Sequence, residues 1–298
     1  MFITELGHVE QQAAQANQQV SSGLRITVPS DDPDQIEGLL QLRSNLARNT
    51  QIQSNLTLAQ TSAQAADNAL SSSIQLVTRA LTLATQGANA TMTTQAEQSL
   101  AEEVQGITQQ MVSNSNTSVQ GRFIFSGDDD TTPAYTYDPA STTTNYVDQG
   151  SAAASTRQIE DPAGGSFPAA LTAQQIFDDR NADGSYANDN VFQALGNLYN
   201  ALLSGNSDAV GSTIANLQAA NQQLNSMQSF YGEVEDRIDA GQTFANNYAT
   251  QLQTEIGNVQ DADIPTAVMQ MTQSNIAEQA ALAMEGKMPH NSLFDYLG

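Results

Sequence analysis

From Phe2 the apolar and small side chains recur at Leu6, Val9, Ala13, Ala16 and Val20, in alternating steps of four and three. That spacing lays them on one stripe of a helix and matches a coiled-coil seam, not a strand. A helix with such a stripe needs a partner. Ser21-Ser22-Gly23 predicts its end, because glycine takes the left-handed conformation that closes a helix, and Leu24 to Pro29 reads as extended chain. Asp32-Pro33-Asp34 restarts a helix: Asp32 suits the cap, Pro33 the first turn, and Asp34 the positive end of the dipole. Leu42, Leu46, Leu56, Ala59, Ala63, Ala66, Leu70, Ile74, Val77, Leu81 and Ala84 then keep an approximately 3.5-residue spacing to about Gln86. At 1.5 Å per residue such a helix is about 75 to 80 Å long, beyond the usual globular element.

Gly87 ends that run, and Thr94 followed by Glu97 reads as a capping box opening a third helix to about Gln120. Helices two and three are expected to lie antiparallel. After Gly121 the pattern changes. Phe123-Ile124-Phe125, Tyr135-Thr136-Tyr137, Tyr146-Val147 and Arg157-Gln158-Ile159 are short β-prone runs separated by Gly, Pro and Asp turn signals. Helical spacing returns at Val191, Phe192, Leu195, Leu198 and Leu202, closes at Gly205, and resumes from Val210 to Val259. After Asp261-Ala262-Asp263 a last helix takes in Val268, Met271, Ile276, Ala280 and Ala283, stopped by Met288-Pro289, with an apolar tail through Leu293, Phe294 and Leu297. The predicted fold is mainly α: a long antiparallel helical bundle or coiled coil built from both ends of the chain, with a small β-rich insert in the middle. Three parts follow from this: terminal helices at 1–32 and 260–298, a helical rod at 33–121 and 191–259, and an outer β-rich part at 122–190.

Composition narrows what such a bundle does. The formal net charge is −23, with nine Lys and Arg against thirty-two acids in 298 residues. So few cations cannot neutralise phosphates, and an anionic membrane surface repels the chain, so neither nucleic acid nor membrane is an expected partner. Charged residues make up only 14% and Gln about one residue in eight, so the surface is built of amides and hydroxyls that are cheaper to bury between subunits than charges. Eleven of the acids fall between Gly121 and Asn190 against three Arg, which places a dense share of the charge in the insert.

The chain holds no Cys, and its two His, at 8 and 290, lie near its ends, which leaves little for nucleophilic or acid–base catalysis. No catalytic set and no cofactor or metal site is expected. Asp179, Asn181, Asp183 and Gly184 match the first half of a calcium loop, but the twelfth position, which should give a bidentate acid, is Asn190. The segment reads better as a turn, and Asp128-Asp129-Asp130 as a solvated loop. Glu102-Glu103 and Glu233 with Asp236 sit on polar helix faces, which argues against a glycosidase pair.

Ser21-Ser22-Gly23-Leu24-Arg25-Ile26, followed by Ser30-Asp31-Asp32-Pro33 at the start of a long helix, resembles the N-terminal region of the bacterial flagellin family. Val259 to Asp263 and the tail from Pro289 resemble its C-terminal region. The motif residues are thus Ser22, Gly23, Arg25, Asp31, Asp32 and Pro33, with Phe123, Phe125, Ser126 and Gly127 from Gly121-Arg122-Phe123-Ile124-Phe125-Ser126-Gly127. These last four and the tail are more similar to the hook-associated junction branch of the family than to filament flagellin. The resemblance implies a non-enzymatic structural subunit of the flagellum. It implies export through the flagellar type III channel and an extracellular ring between hook and filament. Its partners would be copies of itself, flagellin, the other hook-associated protein and an export chaperone. The stretch before Ser21 is a few helical turns shorter than the family pattern, implying an incomplete innermost layer or a start upstream of Met1. Filament flagellin is the alternative within the family, and a chemoreceptor-like signalling hairpin the alternative outside it. The expected self-assembly surface is Phe2, Leu6, Val9, Val20, Val268, Met271, Ile276, Leu293, Phe294 and Leu297, poorly buried in a lone subunit.

Overall fold

The computed structural model describes residues 2–141, 143 and 145–285. Among the described residues three helices are followed by six short strands and then four helices: α1 (Phe2–Ser22), α2 (Pro33–Gly87), α3 (Thr94–Ser115), β1 (Ser118–Val119), β2 (Arg122–Phe123), β3 (Tyr135–Tyr137), β4 (Val147–Gln149), β5 (Gln158–Glu160), β6 (Ser166–Pro168), α4 (Ala173–Phe177), α5 (Val191–Leu203), α6 (Ser207–Gln260) and α7 (Ile264–Glu285). Two compact units result, one of residues 1–50 with 247–298 and one of residues 51–246. Among the described residues no helix is long and apolar enough to cross a membrane.

In the 51–246 unit, α2 and α6 carry heptad ladders. Leu56, Ala63, Leu70, Val77 and Ala84 are seven residues apart and buried, and so are Leu217, Leu224, Tyr231, Ile238 and Ala245. The second seam position is filled by small residues such as Ala66, Ser73, Ala80 and Ala220, which lets the backbones approach closely. Side chains beside the seam fix an antiparallel register: Gln53 to Asn246, Gln60 to Asp239 and Gln228 to Asp67, each at 3.0 Å. Helix α3 runs back along α2, as its spacing predicts, with Asn114 donating to Ser73 at 3.0 Å and Arg79 pairing with Glu103 at 2.6 Å.

The start of α3 differs from the expected box by one residue. Its cap is Thr93, whose hydroxyl accepts from the Ala96 amide at 3.3 Å. Glu97 is buried instead of reaching back to the cap. The helix also ends at Ser115, five residues short of Gln120, because Gln120 and Gly121 both adopt positive φ, 52° and 78°, and turn the chain into the β1–β2 hairpin.

Among the described residues the strands form three separate antiparallel hairpins, β1–β2, β3–β4 and β5–β6, and not one sheet. Strands of two or three residues have too little ladder to stand alone. Aromatic packing holds them. Phe125 meets Phe177 edge-on at 5.9 Å and Tyr231 of α6 at 6.2 Å, Phe177 stacks on Phe192 of α5 at 6.0 Å, and Tyr135 lies 5.0 Å from Phe192. The insert thus shares a core with α5 and α6.

Candidate assembly interface

The unit of residues 1–50 and 247–298 brings the first and last described helices side by side. Helix α1 packs along α7. Its seam contains Ala13 and Ala16, both buried, with Leu6, Val9 and Val20 half-buried; the other side of the contact buries Ala267 and Ser274 and half-buries Met271. Two alanines opposite an alanine and a serine give close approach but little apolar area, so the pairing is thin.

What α7 leaves uncovered is larger. Around its circumference, at about 100° per residue, Met269 and Ile276 lie roughly opposite Ala267 and Ser274. They are 64% and 63% exposed, and Val268, Leu282 and Met284 are exposed as well. Exposed apolar side chains thus stand on more than one side of the helix, between polar Gln270, Thr272, Gln273, Asn275 and Gln279, and apolar groups left in water in this way are stabilised when further partners close over them. Of the ten expected surface residues, Val268 and Ile276 are exposed; Leu6, Val9, Val20 and Met271 are half-buried by the α1–α7 contact. Phe2 lies in α1, but its side chain, like Leu293, Phe294 and Leu297, lies outside the described residues, as does the Met288-Pro289 stop.

The first motif lies where the chain passes between helices. Gly23 closes α1 at φ +72°, and the Ser22 hydroxyl donates to the Gln18 carbonyl at 2.7 Å. Asp31 gathers the amides of Thr27 and Val28 and the Thr27 hydroxyl at 2.8, 2.9 and 2.9 Å. The backbone donors from Val28 and Thr27 hold its carboxyl below the usual range. Asp32, expected as a cap, accepts from Arg25 at 2.8 Å, and Pro33 opens α2.

The second motif serves the insert. Phe123 sits in β2 with its amide on the Asp130 carbonyl at 2.8 Å, Phe125 is central to the aromatic core, and the Ser126 carbonyl accepts from Ser151. Gly127 has φ +64°, and a Cβ there would stand 2.3 Å from the Ala153 carbonyl oxygen. Gly127→Ala combines a left-handed backbone with overlap against main chain, so it should destabilise the 51–246 unit by about 3 kcal/mol. Urea unfolding of the variant measures this.

Of the two acid-bearing loops, the first departs from its sequence expectation and the second is the turn expected. Asp130 is not solvated: it is buried, and Arg122 and Arg157 clamp it at 2.8 and 3.2 Å. The loop from Asp179 to Asn190 is a turn closed by the Arg180–Tyr186 bridge. Asp183 accepts from the amide and hydroxyl of Ser185, Asn181 donates to Ser185, and Asn190 caps α5 through the Gln193 amide at 2.9 Å. No group of three or more metal-ligating side chains converges among the described residues.

Sequence comparison accounts for the layout. Residues 3–130 match the bacterial flagellin N-terminal helical region and residues 214–297 the C-terminal helical region. The chain belongs to the bacterial flagellin family. The signalling-hairpin alternative has no counterpart in these matches. Within the family, this chain is 26% identical over 290 residues to flagellar hook-associated protein 3 of Escherichia coli K12, covering 90% of this chain and 89% of that one. In fold it is similar to a Vibrio parahaemolyticus protein described as a flagellar hook-associated protein. The TM-score is 0.65 and the identity 18%, over 78% of this chain and all of that one. It is also similar to flagellar hook-associated protein 3 of Legionella pneumophila, with TM-score 0.61 and 14% identity over 76% of this chain and 99% of that one.

Proposed function

We propose that this flagellin-family chain is a structural, non-catalytic subunit of the bacterial flagellum that sits at the junction between hook and filament. One observation carries the assembly part of the reading: beside its contact with α1, α7 leaves Met269, Ile276, Leu282 and Met284 each more than half exposed, Met269 and Ile276 more than 60%. Such a surface closes by packing against the helices of neighbouring subunits. Placement at the junction, not along the filament, draws support from the hook-associated proteins that resemble the chain over most of their length. On this reading the copies form a ring, with flagellin on one side and the other hook-associated protein on the other. The chain reaches that place through the flagellar type III channel, escorted by an export chaperone.

Deletion of the gene should leave hooks in place and release filaments into the medium, cutting motility by more than tenfold, as seen by electron microscopy and swim-plate assay. Complete absence of filament protein outside the cell would instead mark a filament flagellin. A tagged copy should appear at the base of the filament; label along its whole length would overturn the junction position.

A further inference from the structure

We infer that Arg25 and Gln260 form a clasp that makes the order of the N-terminal helix conditional on the C-terminal end of the chain. Neither terminal helix is self-sufficient. Most helical stability in a protein comes from tertiary packing, and the contact between these two helices, of 21 and 22 residues, is made largely by alanine and serine. A second attachment lies where both ends cross. Leu24 forms a β-bridge with Asp261, the Arg25 and Ile26 amides donate to the Gln260 carbonyl at 2.7 and 3.3 Å, and the Ala262 amide donates to the Gly23 carbonyl at 2.9 Å.

Two side chains lock that crossing. The Arg25 guanidinium reaches Asp32 through Nη1 at 2.8 Å and the Val259 carbonyl through Nη2 at 2.6 Å. Val259 is in the last turn of α6, where unsatisfied carbonyls carry partial negative charge, so a cation there is favoured. One planar fork therefore joins the linker, the start of α2 and the end of α6. Gln260 is buried and held at both ends: its Oε1 accepts from Arg43 at 2.9 Å, and its Nε2 donates to the Ile26 carbonyl at 3.2 Å. Buried Ile26 lies within the same crossing. Residues 25 and 260, separated by 235 positions in sequence, thus fix the exit of α1 and the entry of α7 together. The consequence for assembly, that only a chain with both ends in place presents the α1–α7 surface, rests on the function proposed above. The clasp itself does not, and is tested on the isolated subunit.

Amide hydrogen exchange is followed in the full chain and in two variants, Arg25→Ala and Gln260→Ala. Each removes hydrogen bonds at one side of the crossing, the Arg25 change including bonds to a charged group. Exchange within 4–22 and 264–284 should rise by about ten- to hundredfold for Arg25→Ala and by about tenfold for Gln260→Ala. Exchange within 56–84 and 217–245 should stay unchanged in both. The Gln260 variant is the decisive one, since it must loosen α1 from the far end of the sequence. Unchanged exchange in 4–22 for both variants would overturn the clasp, as would an equal rise in 56–84, which marks general loosening. Arg25→Lys keeps the charge but lacks the fork for Asp32 and Val259 together, so it should loosen the same segments; full protection in that variant would overturn the two-armed geometry.

Discussion

Replacing Asp178 with Ala should lower the stability of the 51–246 unit by about 3 kcal/mol, the low end of the cost of breaking a buried ion pair. Asp178 is buried and fully engaged. Its Oδ2 accepts from the Tyr135 hydroxyl at 2.9 Å and from Nε and Nη2 of Arg180 at 3.1 and 2.8 Å; its Oδ1 accepts from Asn190 at 2.7 Å. Burial first, and then the Asp178 charge, push the Tyr135 hydroxyl far above its ordinary value, so it remains a donor to that carboxylate. Truncation strands a buried phenol, leaves the Asn190 amide nitrogen with only the Asp179 carbonyl, and withdraws the partner of Arg180. The low end applies because Arg180 is 31% exposed and its guanidinium can turn toward water. Asp178→Asn keeps the shape and loses the charge, so it should cost about 1 to 2 kcal/mol. Urea unfolding separates the two, and variants within about 0.5 kcal/mol of the parent would show the node to be dispensable.

That node also shows where the sequence stops being legible. The long helices are readable because their signal repeats: each heptad of α2 and α6 reiterates the same choice of apolar and small residue, so local error averages out. The crossing at Gly23 and the restart at Pro33 are readable because glycine is free to take the left-handed conformation that closes a helix and proline fixes φ for a first turn. The insert offers neither. Its strands span two or three residues, too few for alternation to declare itself, and β1, β6 and α4 carry no pattern that sets them apart from loop. Its core comes from Phe125, Tyr135, Phe177 and Phe192, residues as far as 67 positions apart that no periodicity connects. Asp130 and Asp178 look like members of solvated acid runs, and only the approach of Arg122, Arg157 and Arg180 turns them into buried anchors. Asn190 fails as a calcium ligand in sequence for the reason that it succeeds as a helix cap: it has one amide oxygen, and the α5 terminus takes it. The thinness of the α1–α7 contact could be read from its alanines; that Met269, absent from the expected surface, is its most exposed large apolar side chain could not.

Met269 and Ile276 therefore give the sharpest separation of folding from assembly. The double variant Met269→Asp, Ile276→Asp should abolish incorporation into flagella, with loss of motility and release of filaments, while the purified subunit unfolds within about 0.5 kcal/mol of the parent. Both side chains are more than 60% exposed in the subunit, so a carboxylate there stays hydrated and costs the monomer little. In the proposed assembly the same carboxylates would be buried against apolar neighbours without a cation to pair with, at about 2 kcal/mol or more for each and on every copy. The chain is poorly placed to supply that cation. Its nine Lys and Arg are outnumbered by thirty-two acids, and Arg25, Arg79, Arg122, Arg157 and Arg180 already hold carboxylates of their own. Changing Leu6 and Val9 to Asp should also block assembly, but those positions are half-buried against α7, so the subunit itself would lose its terminal pair and the two effects would merge. Gln in place of Met269 and Ile276 sets the scale, because an amide can find hydrogen bonds on the Gln-rich faces of α1 and α7 and should weaken incorporation without ending it. Normal filaments from the double Asp variant would mean that this face of α7 meets only water, and the packing of terminal helices between subunits would have to be sought elsewhere on the chain.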